Sequence, residues 1–177
     1  MAQHNNVNTR KIEDVINKTL SGDAQKNALE LVAYIKADES EKTQIINHEG
    51  GEIWLVKKND EILDLIYVDG TDECPGPWTM WIRGDYIGEY SESPVDEKIK
   101  EVAWAHVALC KPCSSDCNRG SLRTVFGKEF VKACPDTIMF SNPDAQALEY
   151  IKKIMDIRNN DIKNPNARTY DYMDKLC

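Results

Sequence analysis

Residues 52–68 read EIWLVKKNDEILDLIYV. Two short runs, Glu52 to Lys58 and Glu61 to Val68, are rich in β-branched and aromatic residues and flank Asn59-Asp60, a turn pair. That pattern predicts a β-hairpin. It decides the fold class because the two stretches that open the chain have a different period. Ile12, Val15, Ile16 and Leu20 form a helical stripe, Ser21-Gly22-Asp23 breaks it, and Ala28, Leu31, Val32 and Ile35 form a second one.

Beyond the hairpin the period keeps alternating. Gln44 to Asn47 reads as a short strand ahead of it, with 48–51 as the turn, and Trp78 to Arg83 as a strand behind the Pro/Gly-rich loop 69–77. Gly84-Asp85 reads as a turn into Tyr86 to Tyr90. Pro94 suits the first turn of a helix running to Leu109, with Ile99, Val102, Ala103, His106 and Cys110 on its buried face. Leu122 to Phe126 and Thr137 to Phe140 read as strands. Asn142-Pro143-Asp144 opens a last helix with Ala147, Leu148, Ile151, Ile154 and Met155 inward, and periodicity weakens from Asn159. Short connections favour antiparallel pairing, so the expected fold is α+β, an antiparallel sheet with helices packed on one face and a cysteine-rich knuckle. The expected division is a helical extension over 1–22, one domain over 23–160 with the knuckle at 110–134, and a loosely ordered tail over 161–177.

The chain has 177 residues and a net charge of −8. Such an acidic balance argues against general nucleic-acid binding, which needs a basic surface. No run reaches the ~18 apolar residues of a membrane span. Met1 to Arg10 has no apolar core of a signal peptide, so a cytoplasmic location is expected. One segment departs from the acidic background. Between Cys110 and Cys134, Lys111, Arg119, Arg123, Lys128 and Lys132 stand against Asp116 and Glu129, five positive and two negative, for +3. Arg119, Arg123 and Lys128 are candidate contacts for an anion or a partner. Cationic residues that balance a thiolate centre and face water are the simpler reading.

The same segment carries the clearest chemistry. Cys110, Cys113 and Cys117 are spaced C-x2-C-x3-C, and Cys134 follows after sixteen residues. In a reducing compartment such a cluster points to metal or redox work before disulfides. Four thiolates suit a structural Zn²⁺ with no open position. His106, four residues before Cys110 on the expected helix, is a candidate to replace one of them, or a half-buried histidine with no such role. A redox dithiol at Cys110-Lys111-Pro112-Cys113, an iron–sulfur cluster, and thiols without a ligand are the alternatives. The expected helix would end at Cys110, where the negative end of its dipole disfavours an activated thiolate and favours a cation.

Residues 104–162 resemble a family of small bacterial proteins without an established activity. The shared pieces are the cysteine knuckle, the segment Thr124-Val125-Phe126-Gly127-Lys128-Glu129-Phe130, the fourth cysteine Cys134 and the helix start Asn142-Pro143-Asp144-Ala145. Here three residues separate Cys113 from Cys117, where the family more often has two. The resemblance implies that the cysteines act as one unit, and implies no activity.

Trp54, Trp78 and Trp81 fall on expected strands, and Asp64 is an acid among apolar neighbours. Aromatic walls with one carboxylate suit a cationic or planar ligand, so these four are a candidate pocket, against the simpler reading of core aromatics. The common nucleophile, zinc-protease, P-loop and dinucleotide motifs are absent from the sequence. The expectation is a non-enzymatic cytosolic binding or regulatory module with a structural zinc, whose partner is a small molecule or a protein. The alternative is a thiol redox protein or sensor using Cys110 and Cys113.

Overall fold

The computed structural model describes residues 10–37, 43–48, 52–58, 61–68, 76–83, 87–88, 94–110 and 120–163. Two helices come first, α1 (Ile12–Thr19) and α2 (Gly22–Lys36). Four strands follow, β1 (Thr43–Asn47), β2 (Ile53–Lys58), β3 (Glu61–Val68) and β4 (Trp78–Ile82). After α3 (Glu97–Ala105) come β5 (Val107–Leu109), β6 (Ser121–Val125), β7 (Lys128–Ser141) and α4 (Ala145–Lys163). The seven strands form one antiparallel sheet in the order β1-β2-β3-β4-β7-β5, with β6 also on β7. The fold is α+β.

The hairpin expected from residues 52–68 is β2–β3, with Lys58 paired to Glu61. Alternation then sorts the sheet into two faces. Trp54, Val56, Ile66, Val68, Trp78, Met80, Ile82, Ile138 and Phe140 share one core with residues from all four helices, including Ile16, Leu31, Ala103 and Ile154. The helices therefore lie on a single face. On the other face the register lines up Leu55, Leu65, Trp81 and Met139.

Three expectations are corrected. The helix after Pro94 is shorter: α3 stops at Ala105, and Val107–Leu109 joins the sheet instead of continuing it. The cause is tertiary, since the His106 ring stacks on Phe140 at 4.1 Å between centroids and its Nδ1 lies 2.8 Å from the Val102 carbonyl. The helix-end argument at Cys110 thus lapses, and His106 and Cys110 do not share a helical face.

The expected strand 137–140 is the end of the much longer β7. It begins at a two-residue turn, Phe126-Gly127, whose φ angles of 47° and 74° give the type I′ twist that joins β6 to β7. A phenylalanine in that conformation is uncommon. Its ring is buried, and Gly88 makes the room: a Cβ there would meet Phe126 Cδ1 at 2.1 Å.

Periodicity fades after Asn159, yet α4 continues to Lys163. Arg158 and Asp161 are both buried, and Asp161 Oδ2 accepts the Gly88 N–H at 2.5 Å. Residues 164–177 lie outside the described ones. No helix among the described residues is long and apolar enough to cross a membrane.

Candidate functional site

Cys110 and Cys134 are the two members of the cysteine cluster within the described residues; Cys113, Cys117 and Arg119 lie outside them. The sheet brings their segments together. Leu109 pairs with Ala133, and the Cys110 N–H donates to the Lys132 carbonyl at 2.7 Å. Ser121 pairs with the same Ala133. Gly120 therefore lies against both segments, and a Cβ on it would stand 2.7 Å from Cys110 Cβ and 3.0 Å from the Lys132 carbonyl oxygen. Between Ala133 and Ile138, β7 advances five residues while β5 advances two, so Cys134-Pro135-Asp136-Thr137 bulges out of the ladder. Both cysteines are half-buried. Among the described residues, no three of His, Cys, Asp and Glu gather as a metal site.

The bulge also holds charge. Asp136 stands 2.6 Å from Arg83 Nε. Burial pushes the Asp136 carboxyl above its ordinary value; Arg83 and Arg123 pull it back, nearby Asp64 pushes it up again, and burial wins. Arg123 thus lies near enough to this carboxylate for its charge to act on it. Lys128 lies over the rings of Trp104 and Phe130, 5.0 and 5.2 Å from their centroids. Next to these cations, Leu109, Leu122 and Val131 are exposed.

The four residues of the aromatic candidate separate. Trp54 and Trp78 are fully buried core residues on the helix-facing side, and Trp81 is half-buried on the opposite face. Asp64 is 1% exposed and has found a cation within the chain. Arg158 Nη1 and Nη2 donate to its two oxygens at 2.5 and 2.9 Å. The remaining guanidinium donors go to the Leu63 carbonyl and to Asn159 Oδ1, so all five are used.

A cavity of about 270 Å³ opens beside this pair, between α2, α4 and the β1–β3 part of the sheet. Ile35, Val56 and Met155 give it an apolar wall, Thr43 and Lys58 a polar end, and Tyr34 hydrogen-bonds Asp156 at its exposed side. Sequence reasoning missed Thr43, Lys58 and Arg158. The one available signal was Lys58, a charge that ends a strand otherwise built for burial.

No family model, curated protein or solved structure matches this chain. The resemblance of residues 104–162 rests on its motif alone.

Proposed function

We propose that the chain is a non-enzymatic binding or regulatory module, working in a reducing compartment such as the cytoplasm. In this reading Cys110, Cys113, Cys117 and Cys134 hold a structural zinc ion. The observation that supports it is the hydrogen bond from Cys110 to Lys132, which ties the start of the knuckle to the strand carrying the fourth cysteine. Four thiolates would fill a tetrahedral site and leave no position for substrate, so the ion would fix the knuckle to the sheet. The exposed Leu109, Leu122 and Val131 beside a segment of charge +3 favour a protein partner with acidic and apolar residues over nucleic acid.

The test is elemental analysis of protein purified without added metal, paired with thiol alkylation with and without a chelator. Roughly one zinc per chain, with cysteines protected until chelation, supports the proposal. Less than about half an equivalent of any metal defeats it. A single fast-reacting cysteine in metal-free protein would instead favour the redox reading at Cys110 and Cys113.

A further inference from the structure

We infer that two copies of the chain associate through β1, pairing antiparallel and edge to edge about a two-fold axis at Ile46. β1 ends the sheet order, and among the described residues no strand lies beyond it. The His48 N–H donates to the Ile53 carbonyl at 2.9 Å, so these two positions are a hydrogen-bonded pair of the antiparallel ladder. Counting back in twos, Ile46 and Gln44 turn their main-chain groups towards β2. Thr43 and Ile45 turn theirs outward, where no strand among the described residues receives them. Sheet edges are usually blunted by charge, proline, a bulge or shortness. β5, at the other end of the order, is three residues long. β1 reads Thr43-Gln44-Ile45-Ile46-Asn47, without charge, proline or glycine, and its register with β2 is unbroken.

The side chains select a second copy as the occupant. On the helix-free face Ile46 pairs with Leu55, Leu55 with Leu65, and Leu65 with Trp81. Leu55 and Leu65 are 8% and 7% exposed, whereas Ile46, at the end of this row, is 38% exposed. A second β1 in antiparallel register sets Ile46 directly against Ile46 of the copy, so the row runs unbroken from one sheet into the other. In that register the outward N–H and C=O of Ile45 meet the main chain of the copy. Two chains of net charge −8 repel one another, but β1 brings no charge to the seam. A charged peptide would find no opposite charge on this strand. Five residues make fewer hydrogen bonds than the about ten of a typical interface, so the dimer is a weak one, with a dissociation constant of roughly 10 µM to 1 mM. Three strands separate β1 from β7, which carries Cys134, so the inference is independent of the zinc reading.

Sedimentation velocity of the full chain between about 10 µM and 1 mM tests it, with Ile46→Lys and Ile46→Glu measured alone and as an equimolar mixture. The unaltered chain is expected to pass from monomer towards dimer across that range. Each variant sets like charges directly opposite one another and should weaken self-association at least about 10-fold. The mixture pairs opposite charges and should associate again, which also shows that both variants are folded. Hydrogen exchange of the Ile45 amide should slow as the unaltered chain is concentrated. A chain that stays monomeric at about 1 mM overturns the inference. So does a dimer that both variants retain, a dimer whose Ile45 amide exchanges at the monomer's rate, or a mixture that associates no more than its components.

Discussion

Arg158, near the end of the last helix, grips Asp64 in the middle of the sheet with two parallel hydrogen bonds, 94 residues away in sequence. Their side chains are 3% and 1% exposed. Neither charge has water to fall back on, so each depends on the other.

Removing one partner should therefore cost far more than removing both. Asp64→Asn or Arg158→Met is expected to lose about 3–5 kcal/mol of unfolding free energy. The double variant Asp64→Leu/Arg158→Met should lose less than either single one. Urea denaturation followed by tryptophan fluorescence measures all three, and strictly additive losses would contradict the account.

Gly88 and Phe126 form a second dependent pair. Gly88 has φ of +79° and lacks the atom that would collide with the Phe126 ring. Gly88→Ala adds both a strained backbone and an overpacked contact, for a combined loss of about 2–4 kcal/mol. Phe126→Leu in that background should recover part of it. A double-mutant cycle by denaturant midpoint checks the coupling.

Asp136 gives a pH signature. A carboxyl raised above its unfolded value keeps its proton more readily in the folded state, so stability is present at low pH and lost as pH rises through the folded value. The window opens at the ordinary value of 3.8 and extends upward. Asp136→Asn should flatten that segment of the stability–pH curve, leaving the opposite trend set by Glu13 and Glu30, whose carboxyls are lowered. Thermal melts at closely spaced pH values in both proteins give the difference directly.

Gly120 can pack against both Cys110 and Lys132 because it has no side chain. Gly120→Ala must push apart a Cβ and a carbonyl oxygen, neither at the end of a flexible chain, and is expected to cost about 1–3 kcal/mol. If zinc binds at the cysteines, the same change should speed its loss to a chelator, followed by a colorimetric zinc indicator.

The two-period pattern made the hairpin at 52–68 legible, and Asn142-Pro143-Asp144 marked the start of α4, whereas Pro94 lies two residues before the Asp96 N-cap of α3 and not in its first turn. Residues 106–110 misled for a definite reason: Val102, Ala103, His106 and Cys110 satisfy a helical spacing, but His106 stacks on Phe140 and ends the helix. Lys128 to Asp136 hid as strand because a proline and a bulge interrupt it. Asp64 stood out as an acid among apolar residues, whereas its partner could not be named without the tertiary fold. Thr43 and Lys58 became neighbours only through the β1–β2 register.

The span between Asp64 and Arg158 also has a meaning in time. A ribosome adding about 5–20 residues per second needs roughly 5–20 s to make the 94 residues between them. Throughout that interval the nascent β2–β3 hairpin carries an unpaired carboxylate on the face destined for the interior. That charge keeps the face hydrated and discourages premature collapse or strand-to-strand sticking until the arginine arrives to seal it.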